Sequence, residues 1–299
     1  MPLPIPALLA DIGGTYARFA VLPEPAARPT PIWKVPTADY PGPVAAIQAF
    51  LDRPGTVRPR SAWLAVAGRV DGGVARLTNA PWTFDRGAIG AALGLEAVRL
   101  VNDYVPLAGL LPSLAAGDPT DLARIGSGVA GTGPRLVLGP GTGLGAAALI
   151  PAGERLLIQT TEAGHVGFGP CERDDLPWDD LMQAAGRLTA ETLLSGSGLV
   201  RLARAIAAAR GVAAGWCRPP EVLNASLVDP LARETVRRFA RLLGRFAGDL
   251  ALTFSATGGL YLAGGIAPRI VEVLQGGAFG DAFEDKPRSR RRCAPSRAS

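Results

Sequence analysis

"LLADIGGTYARFAVL", residues 8–22, sets an aspartate and two glycines between two runs of β-forming residues, and its reading decides the fold. Apolar residues flank a tight Gly-Gly-Thr turn, the pattern of a β-hairpin. Glycine has no Cβ, so main-chain amides can come close to an anion, and successive N–H groups form a concavity suited to phosphate. Asp11 would sit badly against bare phosphate, but well against a Mg2+ ion or its waters. Taken by itself such a turn is an ordinary hairpin. A second stretch, "LVLGPGTGLGAAALI" at 136–150, aligns with the first without a gap: Asp11 meets Gly139, Gly13 meets Gly141, and Gly14-Thr15 meet Thr142-Gly143. The repetition predicts two related halves, each with one phosphate-binding turn for a shared nucleotide.

The segments around these hairpins read as α/β. Strand-like 61–70, a turn-rich 71–84, a helical 87–94 and the strand 97–104 follow the first hairpin; a helical 106–117 and a polar, Gly-rich 118–134 lead to the second. A domain boundary is expected near 105–110. Apolar residues at three-to-four spacing predict helices over 187–210 and 228–250, and 258–274 reads as strand, glycine turn and a helix with Pro268 near its first turn.

Composition narrows the function classes. With 299 residues, 48% of them apolar and 19% charged, the chain is long enough for two globular domains and too apolar for disorder. No run approaches the roughly 18 apolar residues of a membrane span. The first residues lack a basic n-region, so a cytoplasmic protein without membrane association is expected. Cys171, Cys217 and Cys293 are odd in number and widely spaced, as reduced thiols are. Six of the 31 basic residues follow Asp285, leaving 25 against 26 acidic ones in the body, so the formal charge of +5 belongs to the tail and no nucleic-acid partner is expected.

Competing phosphate motifs can be tested directly. The only lysines are Lys34 and Lys286, and no G-x-x-x-x-G-K-[ST] is present, which excludes a P-loop. Gly141, Gly143 and Ala146, with Glu162 downstream, satisfy a dinucleotide-binding fingerprint in spacing, but "AAALI" is short, strand-like and stopped by Pro151 where that fingerprint needs a helix; it stays as an alternative. "LVNDY" (100–104) ends a strand with Asn102 and Asp103, either an Asx turn or a carboxylate placed to accept a proton from an attacking hydroxyl. His165, the single histidine, lies three residues after Glu162; with Glu191, at the head of a helical stretch, and Asn79, near Trp82, these groups suit the hydroxyls of a neutral sugar.

The assembled pieces resemble the bacterial glucokinase family, of the actin, sugar kinase and Hsp70 ATPase fold. The resemblance rests on "ADIGGTYARFAVL", "AVAGRVDGGVARLTNAPW", "LVNDY", "GPGTGLGAA", "TEAGHVGFGP", "LTAETLLSGSGLVRLARAI", "GGLYLAGGIAPR" and "FEDKPR", in family order from about residue 8 to 288. It implies a two-domain actin-like ATPase (ribonuclease H-like) architecture with an interdomain cleft: a small α/β domain over 1–108, a large one over 109–286 and a divergent basic tail over 287–299. It further implies ATP with Mg2+ as cofactors, glucose as substrate, glucose 6-phosphate as product and a homodimer. Ala10, Asp11, Ile12, Gly13, Gly14 and Thr15 would form the first phosphate loop, with Asp11 reaching Mg2+ indirectly. Gly141, Thr142 and Gly143 would form the second, and adenosine would lie against Gly264 and Gly265. Asn79, Asn102, Asp103, Glu162, His165 and Glu191 would hold the sugar, with Asp103 as general base.

Departures from the family pattern are Tyr16 for an Asn, Ala163 for a Gly and Arg69 for a Pro. The zinc-binding cysteine cluster of the related ROK kinases is absent. After "FEDKPR" the family continues through a strand, a Gly-rich turn and a helix, whereas this sequence reads "SRRRCAPSRAS", as a truncation or shifted reading frame would. Another hexose kinase of this fold, or a non-catalytic sugar-binding remnant, is the alternative expectation.

Overall fold

Strand β1 (Ala7–Ile12) turns through Gly13-Gly14-Thr15 into β2 (Tyr16–Leu22), and the pairing places Ile12 opposite Ala17 and Asp11 opposite Arg18. The structure is a computed structural model and describes residues 4–77, 80–116, 122–171 and 176–286. It divides into two compact units, Met1–Leu107 and Ala108–Ser299.

In the first unit, β1, β2, β3 (Trp33–Pro36), β4 (Ser61–Val66) and β8 (Ala97–Asn102) form a sheet in the order β3-β2-β1-β4-β8. β1, β4 and β8 run parallel, and Ile12, Val66 and Asn102 are in register, so the carboxyl ends of three strands lie on one line. The hairpin turn and the Asn102-Asp103 pair leave the sheet at that edge. Helices α1 (Pro43–Leu51) and α2 (Arg86–Leu93) join β-strand residues such as Leu8, Ile12, Phe19 and Leu64 in one apolar core. Asp85 caps α2 by accepting from the Gly87 and Ala88 N–H groups, which favours a helix start there.

The turn-rich segment is more ordered than its composition predicts. β5 (Val70–Asp71), β6 (Val74–Arg76) and β7 (Thr83–Asp85) make a small antiparallel sheet, built from strands too short to show a period of two. Helix α3 (Tyr104–Ala116) carries the chain into the second unit.

There the sheet runs β11-β10-β9-β12, from β9 (Arg135–Pro140), β10 (Leu144–Ala152), β11 (Arg155–Thr161) and β12 (Gly259–Leu262). β9, β10 and β11 are successive antiparallel neighbours, and β12 lies parallel to β9. That is the order and sense of β3-β2-β1-β4, so the sequence repeat corresponds to a repeated topology. The helices are α4 (Trp178–Ala185), α5 (Ala190–Leu193), α6 (Gly196–Ala209), α7 (Pro219–Ala225), α8 (Pro230–Thr253), α9 (Val271–Gln275) and α10 (Ala278–Glu284). The 187–210 segment is thus two helices rather than one: Ser195 is extended and accepts from the Gly198 N–H, capping a new helix where the apolar period alone would run on. Pro268 opens a 3-10 turn, Ala267–Ile270, ahead of α9.

Cys171 and Cys217 are exposed free thiols; Cys293 and the basic tail lie outside the described residues. Among the described residues no helix is long and apolar enough to cross a membrane.

Glu234 on α8 joins two helices. It accepts a hydrogen bond from Arg238 at 2.8 Å, one turn on, and another from Arg210 at the end of α6. Burial alone pushes its carboxyl up, but the Arg238 and Arg210 hydrogen bonds and charges outweigh that, so its pKa lies below the ordinary 4.5. A lowered folded-state pKa gives stability that is complete above the unfolded value and is lost as pH falls through the folded one. Glu234→Gln is therefore expected to lower the urea midpoint near about pH 7 and to converge on the parent as the pH falls through the lowered folded-state pKa. Urea titrations of both proteins over a descending pH series check this.

Candidate active site

Each glycine turn is built from main-chain groups that its strands leave over. In the first, the Gly13 N–H donates to the Tyr16 carbonyl at 2.9 Å and closes the hairpin. In the second, the Gly141 N–H donates to the Gly143 carbonyl at 2.8 Å. Among the described residues the N–H groups of Gly14, Thr15, Thr142 and Gly143 donate to no protein group, which leaves two adjacent donors per turn for an anion. Thr15 and Thr142 are exposed, and Ala10 and Ile12 are buried beneath the first turn.

Asp11 lies beside the first turn with its carboxylate 55% exposed and 2.7 Å from the Arg18 guanidinium. The hairpin register dictates this pair, because residues 11 and 18 are directly opposite. The sequence alone singles out Asp11 and not Arg18, although a hairpin centred between Gly14 and Thr15 makes them partners.

At the end of β8, Asn102 donates from Nδ2 to the Gly68 carbonyl at 3.1 Å and accepts at Oδ1 from the Tyr104 N–H at 3.0 Å. Its amide thus shapes the strand exit, with one hydrogen and one lone pair left for a ligand. The Asp103 N–H donates to the Val66 carbonyl at 3.1 Å, which sets the residue, half-buried, on the line of strand ends that carries the first turn. Asn79 lies outside the described residues.

The second unit gathers more of the expected groups. Glu191, in the first turn of α5, accepts at Oε2 from the Leu144 N–H at 2.8 Å, just past the second glycine turn. A methyl group on Gly143 would approach the same oxygen to 2.4 Å. Glu162 and His165 flank a 3-10 turn, Ala163–His165, with His165 Nε2 3.7 Å from Glu162 Oε2 and both side chains more than half exposed. That turn packs on Leu144, whose carbonyl oxygen a methyl on Gly164 would meet at 2.4 Å. It is tied to α5 by the Ala190 N–H donating to the Val166 carbonyl. Glu162, His165 and Glu191 therefore converge around the start of β10.

Gly264 and Gly265 lie alongside the same turn: the Ile266 N–H donates to the Pro140 carbonyl at 3.2 Å. The Gly196 N–H, the first residue of α6, donates to the Gly141 carbonyl at 2.8 Å. That contact spans 55 positions, so no local sequence pattern announces it.

The glucokinase family profile matches residues 8–294. A glucokinase of Sinorhizobium fredii is 44% identical over 285 residues, 94% of this chain and 83% of its own length. The chain belongs to the glucokinase family. Among solved structures, a glucokinase from an Antarctic psychrotroph superposes with a TM-score of 0.79 at 30% identity, covering 95% of this chain and 91% of its own. A ROK family glucokinase from Streptomyces griseus, determined with glucose and AMPPNP, shares the fold at a TM-score of 0.65 and 22% identity, over 94% of this chain and 90% of its own. The actin-like ATPase fold that the family resemblance implied is thus the fold of this chain.

Gly264 has a φ of 79°, and a Cβ there would come within 2.5 Å of the Pro140 carbonyl oxygen, whereas nothing lies within 4 Å of the corresponding point on Gly265. Gly264→Ala is expected to lower unfolding stability by about 2 kcal/mol, and Gly265→Ala by less than about 0.5 kcal/mol. Equilibrium urea unfolding of the two variants checks the contrast.

Proposed function

We propose that this chain transfers the γ-phosphoryl group of ATP to the 6-hydroxyl of glucose, giving glucose 6-phosphate and ADP. The observation that carries the reading is the pair of glycine turns with unused N–H donors, one beside Asp11 and the other tied to Glu191, in a chain of the glucokinase family. The glucose and AMPPNP held by the Streptomyces structure support the same substrate and cofactor here.

In this reading the N–H groups of Gly14 and Thr15, and of Thr142 and Gly143, hold the ATP phosphates at turns closed by Gly13 and Gly141, and Gly264 and Gly265 leave room for adenosine. Main-chain donors fixed in direction before the reaction need no reorganisation as charge develops on the phosphoryl oxygens. Mg2+ typically keeps several waters and asks for one or two carboxylates, which fits a single exposed Asp11 steadied by Arg18. When bound, the ion neutralises charge developing on the phosphates.

Asn79, Asn102, Glu162, His165 and Glu191 orient the sugar hydroxyls. Carboxylates accept from hydroxyls, and the imidazole offers one donor and one acceptor. Asp103 takes the proton of the 6-hydroxyl while that oxygen forms its bond to the γ-phosphorus and the bond to the β–γ bridging oxygen breaks, releasing ADP. Because little covalent chemistry is asked of the protein, positioning supplies most of the acceleration.

The cytoplasm as compartment and a homodimer as assembly belong to the same reading.

A coupled assay of ADP release across a panel of hexoses tests the assignment, with turnover expected on glucose. Asp103→Asn is expected to lower kcat at least about a hundredfold while leaving the calorimetric affinity for glucose nearly unchanged. Undiminished turnover in that variant would remove the base, and thermal stabilisation by glucose without ADP release would mark a sugar-binding protein instead.

A further inference from the structure

Thr37 lies 23 residues beyond Gly14, in the 3-10 turn Thr37–Asp39 that follows β3, and nothing in the glycine motif points to it. It is one of the few buried polar residues, 3% exposed. A buried hydroxyl needs a partner, and this one donates to the Gly14 carbonyl at 2.7 Å. Its own N–H donates to the Thr15 carbonyl at 3.0 Å. One residue therefore holds two consecutive carbonyls of the first glycine turn.

The consequence follows from the peptide plane. In a trans amide the C=O of one residue and the N–H of the next point in opposite directions. With the Gly14 carbonyl drawn to the Thr37 hydroxyl, the N–H of Thr15, one of the two donors that the turn leaves over, faces the other way, and the Thr37 N–H fixes the peptide plane that follows. Glycine flexibility would otherwise let these planes rotate and scatter the donors.

Thr37 is itself anchored. The Tyr40 N–H donates to the Thr37 carbonyl at 3.3 Å, and Nε1 of Trp82, 2% exposed, donates to the Tyr40 carbonyl at 3.1 Å. The second turn uses the same device with different parts, since the Gly196 N–H holds the Gly141 carbonyl.

We propose that Thr37 is a positioning residue for the nucleotide: its hydroxyl and N–H fix the first glycine turn so that main-chain donors are aimed at phosphate before ATP arrives. The inference rests on reading that turn as an ATP-phosphate contact. Without the hydroxyl, the Gly14 carbonyl loses a buried donor and the turn loses its fixed direction, while the sugar-binding residues are untouched.

The test is the dissociation constant of Mg-ATP, measured directly by calorimetry on the full chain, beside that of glucose. Thr37→Val and Thr37→Ala are each expected to weaken ATP about tenfold and to leave glucose within about twofold, and Thr37→Ser, which keeps the hydroxyl, to restore ATP to within about twofold of the parent. Equal losses for glucose and ATP, no loss in the valine and alanine variants, or failure of the serine variant to restore binding would each overturn the proposal. Failure of both the valine and alanine variants to fold would overturn it too, by assigning Thr37 to the stability of the unit. Glucose turnover by the parent chain is read separately. A parent that turns over glucose with variants that bind ATP normally sinks this inference alone, whereas a parent that binds ATP without turnover sinks the kinase reading alone.

Discussion

A main-chain N–H can hold a ligand only where its own strand has stopped using it, and this constraint organises the protein. In a strand paired on both sides, as β1, β2, β9 and β10 are, the amides are committed to the neighbouring strands. At the hairpin ends the ladder stops, and four amides at Gly14, Thr15, Thr142 and Gly143 are left over. In the first unit the parallel register brings Ile12, Val66 and Asn102 to one line, so the leftover donors of the turn and the side chain of Asp103 emerge from the same edge of the sheet. In the second unit Glu191 and the Glu162–His165 turn close around Leu144, the residue at which β10 begins. The sheets thus fix where chemistry is possible before any side chain is chosen for it.

Much of this was legible in the sequence because the signals are local. A glycine turn between two β-forming runs writes its hairpin into a dozen residues, and the ungapped alignment of 8–22 with 136–150 corresponds to two sheets of like order and sense. The strand ending in Asn102-Asp103 was legible for the same reason: an apolar run stopped by two short polar residues. The small β5-β6-β7 sheet was not, because strands of two or three residues carry no period, and the break at Ser195 was hidden by an apolar pattern that continues through it.

At the site, the residue types were easier to find than their neighbours. Asp11, Glu162, His165 and Glu191 stand out as isolated polar groups in recognisable contexts. What steadies them does not: Thr37 and Gly196 act from 23 and 55 positions away, through hydrogen bonds that exist only once separate elements have packed. Glu191 illustrates the difference. Its sequence context shows a carboxylate at a helix start, whereas the fold shows one of its oxygens already committed to the Leu144 amide.

The doubled topology also has an electrostatic consequence. Each turn has one carboxylate beside it, but of different origin: Asp11 comes from β1 itself and is paired with Arg18, whereas the aligned position at the second turn is Gly139 and the acid there, Glu191, is delivered by α5 and bound to the Leu144 N–H. The first acid is balanced by a neighbouring cation and the second by a main-chain dipole, so two turns on sheets of one topology differ in local charge. Loss of the Arg18 guanidinium would unbalance the first and leave the second as it is.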